Sequence, residues 1–457
     1  MTEDLVPRGR IRRTMPLAGF TARAAGGRLV AGLREKAGDT GAVERFHERT
    51  AERYTELLGH SKGVLMKAGQ IFSVADIASH GYNQLSPYQN ALTRLQADAP
   101  PMHPLLARQA LEEDLGRSVE ELFSEFSDDP IAAASIGQVH RATLHDGRPV
   151  AVKVQYPGVA QAIEHDLSNA ELMATFLRFA TGIAGPRPQL DHRLMADEVA
   201  ARISEELDYR HEAANIRAFA ALYADHPFIR IPEVISEASG NRVLTMTYLD
   251  GLDWMAAQQA DQDLKDAWVE TIWRFSTGSF RHANLFHADP HPGNFMLLPD
   301  GRFGIIDFGA VSEHPGGIPP EFGEVLCWAR DEQWEQVIRL IKQLGFMPPE
   351  VQLSGDQVMD YIRPLWPYVD PLRSGEFHFT REWFQQAAVA STDLLDEGFT
   401  ERFKLARQMT VPPGYVMLLR TLGGMIGVLV QLGAHVNYAA IAEEWMPGFF
   451  EPNAKTP

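Results

Sequence analysis

A chain of 457 residues with 45% hydrophobic and 22% charged residues has the composition of a globular protein, with about two to four domains or one two-lobed domain with extensions. Its formal net charge of −18 excludes a general nucleic-acid binder. The single cysteine, Cys327, excludes an internal disulfide, fits a reducing, cytoplasmic setting and reads as a buried, inert thiol in the apolar run Phe322–Ala329.

Residues 1–40 are basic and weakly patterned. The first 36 carry a net charge of +5, which leaves the remainder near −23. Such an arm is either solvated or held against anionic lipid, a peripheral membrane contact, or against the protein's own acidic body. It lacks the uninterrupted apolar core of a signal peptide. Residues 41–128 form an expected helical extension, with helical patterning as far as 125. Ala42 to Leu58 and Gly63 to Ala78 are spaced for helices, and Pro87, Pro100, Pro101 and Pro104 interrupt the chain. Ala107 to Leu115 is a further helix, and Ser118 starts another.

The texture changes at Pro130. Ile136–Leu144 alternates, His145–Arg148 is a turn and Val150–Gln155 is a second strand. Helices are expected near 159–181 and 192–223, and strands at Arg230–Ile235 and Arg242–Tyr248. From Leu264 the chain reads as helical, except for two short apolar strands around Pro299-Asp-Gly301. Thr421–Val430 is the most lipid-like stretch. Arg420 and Gln431 bracket it, so it is too short to span a bilayer and reads as a buried helix. A helical preface, a small mixed lobe over 129–250 and a larger helical lobe over 251–457 predict an α+β, bilobal protein-kinase-like fold with an N-terminal helical extension.

The chemistry concentrates in His287-Ala-Asp-Pro-His-Pro-Gly-Asn294 and Asp307-Phe-Gly309. Phosphoryl transfer on kinase-like folds needs an Asp at the attacking group, an Asn five residues on that helps to hold a metal, and a metal-binding Asp on a later turn. Asp289, Asn294 and Asp307 stand at those spacings. The hairpin between them would bring Asn294 and Asp307 to one end. His-x-Asp-x-His also has transition-metal ligand types. That reading needs His287 and His291 on one helical face, which Pro290 and Pro292 preclude, and it leaves Asn294 and Asp307 without a role.

Lys153 lies mid-strand with apolar neighbours on both sides, so the strand is buried and the lysine needs an acidic partner. In kinases the lysine of this strand contacts phosphates and pairs with a helix glutamate. Glu205-Glu-Leu-Asp-Tyr-Arg-His-Glu212 offers the candidates. Asp208 and Glu212, four apart, read as sharing one helical face, an unfavourable pair without a cation nearby. Lys153 and Lys67 are matching cations. Ala132-Ala-Ala-Ser135 replaces a glycine-rich phosphate loop; alanines allow close approach but forbid positive φ, so a stiffer loop is expected. Lys67 and Gln70 project from one helical face, where a surface lysine is the ordinary reading.

Together these segments resemble the UbiB/AarF (ADCK) family of atypical kinase-like proteins, over roughly residues 60–330. The resemblance implies ATP or ADP and Mg²⁺ as cofactors. It implies Ala132, Ala133, Ala134, Ser135 and Lys153 at the phosphates, Met246 and Tyr248 at the hinge, and Lys153 paired with Glu212. Asn294 and Asp307 would hold the metal, and Asp289 would stand at the catalytic position. Lys67 and Gln70 would cover the pocket near Glu206 and Asp208, where a protein kinase admits its peptide. The implied activity is an ATPase or a small-molecule or lipid phosphotransferase, not a protein kinase, supporting ubiquinone or other isoprenoid-lipid metabolism at a membrane face.

The chain departs from the pattern in three places. It has no acceptable C-terminal transmembrane helix, no arginine near Asp76 after Gln70, and Thr247 where the hinge usually carries an acidic residue. Two alternatives stay open: a nucleotide-gated, non-catalytic scaffold for lipid-biosynthetic complexes, and a small-molecule kinase of the aminoglycoside or choline type.

Overall fold

The computed structural model describes residues 101–167, 200–313, 320–354, 375–384 and 412–445, a few single positions aside, together with scattered positions between 27 and 50 and at 357, 371 and 386. Most of the basic arm, the Lys67–Gln70 tetrapeptide and Ser135 lie outside the described residues.

Helix α1 (Pro104–Leu115) has proline in its first turn, His103 as its N-cap and Gly116 at φ 65° as its C-cap. Ser118 opens α2 (Val119–Leu122) through a capping box with Glu121. The next residues correct the expectation of helix. Phe123–Phe126 form strand β1, which pairs antiparallel with a later strand and buries Phe123. Long-range pairing overrides the local pattern here.

Strand β2 (Ala132–Ala133), β3 (Gly137–Leu144) and β4 (Pro149–Gln155) follow. Then come α3 (Val159–Leu167), α4 (Tyr209–Leu222), β5 (Ile229–Arg230) and β6 (Val243–Thr247). The order β1-β3-β4-β6, with β2 on the flank of β3, makes a five-stranded antiparallel sheet. Period-2 alternation on β4 separates two environments. Val150, Val152 and Val154 pack with Ala107, Ala110 and Leu111 of α1. Lys153 and Gln155 therefore project from the opposite face, toward α4 and the second lobe.

Two further expectations are corrected. The long helix expected over 192–223 breaks at Glu206–Asp208, so α4 starts at Tyr209 with Asp208 as its N-cap. The strand expected at Arg230–Ile235 divides. Ile229–Arg230 pairs in parallel with a strand of the other lobe, while Val234 bridges to Met246 of β6.

The β3–β4 turn rests on Asp146-Gly-Arg148. The Arg148 amide donates to Asp146 Oδ1 at 3.0 Å, and Gly147 takes φ 86°. Gly137, at the start of β3, is needed for another reason. A Cβ there would lie 2.2 Å from the Val154 carbonyl oxygen. Gly137→Ala is accordingly expected to destabilise the protein by about 3 kcal/mol, the upper end for overpacked sites, read as a lowered denaturation midpoint.

The second lobe is built on α5 (Trp254–Gln258) and the long α6 (Gln262–Ala283), whose Trp268, Val269, Ile272 and Phe275 are buried. Strands β7 (Leu285–His287), β8 (Phe295–Leu297), β9 (Phe303–Ile305) and β10 (Val311–Glu313) carry the motifs. Helices α7 (Pro320–Arg330) and α8 (Trp334–Gln343), strand β11 (Phe377–His378), helix α9 (Pro413–Leu432), strand β12 (His435–Val436) and helix α10 (Tyr438–Trp445) complete the described chain.

The predicted β8–β9 hairpin repeats the earlier turn: Asp300-Gly-Arg302 has the Arg302 amide on Asp300 Oδ1 at 3.0 Å and Gly301 at φ 82°. The pairings β7 with β10 and β11 with β12 were not expected in a lobe read as helical. Helix α9 is the predicted buried helix, with Leu418, Met425, Val428 and Leu429 inside. No helix among the described residues is long and apolar enough to cross a membrane. Cys327 is buried, and burial pushes its thiol pKa up, so it is held as the unreactive thiol.

Candidate active site

Lys153 is the centre of the site. Its Nζ lies 2.5 Å from Glu212 Oε1 and 2.8 Å from Asp307 Oδ2. The Lys153 and Glu212 side chains are 7% and 6% exposed, so this is an ion pair inside the protein; Asp307, at 37%, reaches the edge of the site. Burial alone would lower the lysine pKa, but the Asp307 and Glu212 carboxylates outweigh it and hold Lys153 above the ordinary range. One cation faces two carboxylates, and the surplus falls on the drier one. Burial, reinforced by Asp307 and opposed by Lys153, pushes the Glu212 carboxyl up to about 7.

The helix break explains how Glu212 is aimed. Asp208 does not share a helical face with it. Its carboxylate caps α4, accepting the Arg210 amide at 2.9 Å. Both acids thus sit at the helix N-terminus, where the dipole favours negative charge. Gln155, two residues after Lys153 on the same face of β4, donates from Nε2 to the Leu207 carbonyl at 2.9 Å and pins the break.

The Asp307-Phe-Gly309 turn is held at successive backbone groups. His287 Nε2 is 2.8 Å from the Asp307 carbonyl oxygen, so that nitrogen carries the proton. The Phe308 amide donates to Glu212 Oε1 at 3.3 Å. The Gly309 amide donates to Asp307 Oδ1 at 3.0 Å. His287 is therefore committed to positioning, while His291 Nδ1 accepts the Gly293 amide at 3.1 Å. Glu206 also reaches this turn: a Cβ on Gly309 would lie 3.6 Å from Glu206 Cγ.

Asn294 donates from Nδ2 to the Asp289 carbonyl at 3.0 Å and to Asp289 Oδ2 at 2.9 Å. Two acceptors fix the amide orientation and turn its carbonyl oxygen away from Asp289. The Ile306 amide donates to the Asn294 carbonyl at 3.0 Å, so the hairpin leaves Asn294 and Asp307 at one end. Asp289 follows β7, which β10 anchors through the Val311–His287 pair; the Thr421 hydroxyl of α9 donates to the Ala288 carbonyl at 3.3 Å.

At the sheet side, Ala132 and Ala133 pair with Val139 and Gln138, and the Ala134 amide closes the turn on the Gly137 carbonyl at 2.9 Å. Ala132 and Ala133 thus form an edge strand beside β3. Met246 is buried and paired with Ala151. The Tyr248 amide donates to the Pro149 carbonyl at 3.0 Å, and the Arg141 guanidinium stacks 4.7 Å from the centre of its ring. Thr247 replaces the usual acid by bonding the chain beside it: its hydroxyl accepts the Glu233 amide at 2.9 Å.

Sequence reasoning gave no positioning role to His287, Gln155 or Asn215. The last donates from Nδ2 to the Phe308 carbonyl at 3.0 Å. Spacing alone could have flagged Gln155, on the Lys153 face of its strand, and Asn215, one helical turn after Glu212.

Residues 94–340 match the family model of the ABC1 atypical kinase-like domain. The Arabidopsis thaliana chloroplast protein named Activity of BC1 complex kinase 1 is 32% identical over 69% of this chain and 45% of its own length. A Marinobacter nauticus protein named probable protein kinase UbiB is 32% identical over 84% of this chain and 68% of its own. The solved structure of Rv3197 from Mycobacterium tuberculosis, in complex with erythromycin, has a TM-score of 0.64 and 36% identity, covering 93% of this chain and 99% of that one. The chain spans about half the length of the first plant relatives it matches, 45% and 48% for two of them.

Proposed function

Since this chain belongs to the ABC1 (UbiB/ADCK) family of atypical kinase-like proteins, we propose that it binds ATP with Mg²⁺ and transfers the terminal phosphoryl group to water or to a small or lipid acceptor. The observation that carries the reading is Lys153 held between Glu212 and Asp307 across the two lobes. The residues fit the cofactors. Asp307 and the free carbonyl side of Asn294 are the hard oxygen ligands Mg²⁺ prefers, and two carboxylates around one lysine leave negative charge for a metal to neutralise. Bound Mg²⁺ and ATP would supply the phosphoryl group and balance the charge that develops on it.

The chain's own residues do the rest. Lys153, oriented by Glu212, holds phosphate oxygens. Ala132, Ala133 and Ala134 stand on the phosphate side, and the chain from Met246 to Tyr248 is the hinge beside the base. Asp289, fixed by the Asn294 amide, accepts the proton of the attacking hydroxyl or water. Glu206 supports an acceptor other than a protein, because it lies against the metal turn, where the family resemblance sets a cover completed by Lys67 and Gln70 with Asp208. The resemblance also supports an isoprenoid-lipid acceptor or pathway, including ubiquinone, reached at a membrane surface through residues 1–36.

The deciding experiment is a thermal-shift titration with ATP at varied Mg²⁺. A Mg²⁺-dependent shift is expected in the wild type and should be lost in Asp307→Asn; no shift in the wild type would remove the proposal. Hydrolysis assayed with and without lipid vesicles then separates turnover from a scaffold role. Deletion of residues 1–36 is expected to reduce co-sedimentation with anionic vesicles at low salt, where their net charge of +5 is least screened.

Glu212 gives the site a pH signature. Its folded-state pKa of about 7 lies above the ordinary 4.5, so its contribution to stability is full below about pH 4.5 and is lost as pH rises through about 7. Glu212→Gln should flatten that part of the stability–pH curve, measured as melting temperature from pH 4 to 8. Parallel curves for the two proteins would contradict the assignment.

A further inference from the structure

Helix α4 grips the metal turn at more points than the lysine pair requires. Glu212, Asn215 and Phe219 fall on one stripe of the helix, at spacings of three and four. All three address residue 308. Glu212 takes its amide, Asn215 donates to its carbonyl oxygen at 3.0 Å, and the Phe219 ring packs on the Phe308 ring with centroids 5.0 Å apart. Phe308 is fully buried, and the His287 ring stands perpendicular to it at 5.5 Å. The peptide unit after Phe308 leads directly to Gly309, whose amide fixes Asp307 Oδ1.

We propose that Asn215 is a positioning residue that couples α4 to the metal-binding turn, so that helix and turn move as one body. Glu212 alone would allow the turn to pivot about one amide. A second bond, to the opposite end of residue 308, removes that freedom. Neither a slide nor a rotation of α4 can then occur without breaking both bonds or carrying Asp307 along. Asn215 thereby sets where the Asp307 carboxylate stands relative to Lys153, without touching any reacting atom. Its effect on Mg²⁺ rests on the phosphoryl-transfer reading above; its effect on the turn does not.

Two measurements test it. In ligand-free protein, Asn215→Ala is expected to speed hydrogen exchange in the peptide spanning Phe308 and Gly309 by about fivefold, the worth of one net hydrogen bond, with β3 and β4 unchanged. Unchanged exchange at the turn, or equal acceleration throughout, would overturn the coupling. If the variant fails to fold, wild-type exchange decides. Protection of α4 and of the turn should rise together when ATP and Mg²⁺ are added, and a rise in one alone would overturn it. In the Mg²⁺ arm, the concentration giving half of the ATP-dependent thermal shift should rise about fivefold in Asn215→Ala. ATP binding without metal should be unchanged. A wild type that shows no Mg²⁺–ATP shift defeats the functional reading, while ligand-free exchange still decides the coupling.

Discussion

Lys153→Met is expected to lower the stability of the folded chain by about 3–5 kcal/mol, the range for breaking a buried ion pair by removing one partner. The loss comes less from missing attraction than from what remains. The Glu212 side chain, 6% exposed, keeps a carboxylate that water cannot reach, facing Asp307 with no cation between them. Methionine has the length of the lysine stem, so packing against Leu244, its partner on β6, is largely preserved and the effect is electrostatic. Glu212 can escape by taking up a proton, and burial already holds it near 7. The cost should therefore be smaller at pH 5 than at pH 8. The double variant Lys153→Met, Glu212→Gln should recover much of the stability at pH 8, because a neutral amide replaces the stranded charge. Denaturant titrations of the four proteins of this cycle at both pH values give the coupling directly. Equal losses at the two pH values, or no recovery in the double variant, would show that the pair does not carry the charge balance of the site.

What was legible in the sequence follows the range of the forces involved. Asp-Gly-Arg sits at both hairpins, at 146–148 and 300–302, and a four-residue turn is decided locally by a side chain bonding its own backbone and a glycine with positive φ. The burial of Lys153 was also readable, since apolar residues on both sides of a strand leave a lysine no exposed face. The bilobal order of elements followed from such local signals, whereas the family resemblance rested on the motifs His287–Asn294, Asp307–Gly309, Ala132–Ser135 and Lys67–Gln70.

The break at Glu206–Asp208 was not legible, because helical spacing continues through it. The break is fixed by Gln155, a residue 52 positions away whose amide takes the Leu207 carbonyl. Phe123–Phe126 became a strand for the same kind of reason: its partner, β3, is remote in sequence. The positioning roles of His287, weighed only as a metal ligand, and of Asn215 were not legible because both act on backbone carbonyls, of residues 307 and 308, and a carbonyl leaves no trace in the identity of the residue that bears it.

Asp289→Asn is expected to lower phosphoryl-transfer turnover by about 10²–10⁴-fold, the range for a positioned general base, while leaving ATP and Mg²⁺ binding close to wild type. The separation follows from the geometry. Asp289 is bonded through Oδ2 to the Asn294 amide, whereas the lysine and its two carboxylates form a separate set of contacts centred on Asp307. An asparagine at 289 keeps an oxygen that can accept the Asn294 amide hydrogen, so the metal-side loop should hold its shape while the proton acceptor is lost. Asp307→Asn should do the reverse. It removes the proposed metal ligand and one of the two anions facing Lys153, so the Mg²⁺-dependent thermal shift should disappear along with turnover. The pair of variants thus distinguishes chemistry from binding. If Asp289→Asn hydrolyses ATP at the wild-type rate, residue 289 is not the base and the scaffold reading gains ground. If it abolishes the thermal shift as well, Asp289 belongs to the metal site, and the division of labour drawn between the two aspartates is wrong.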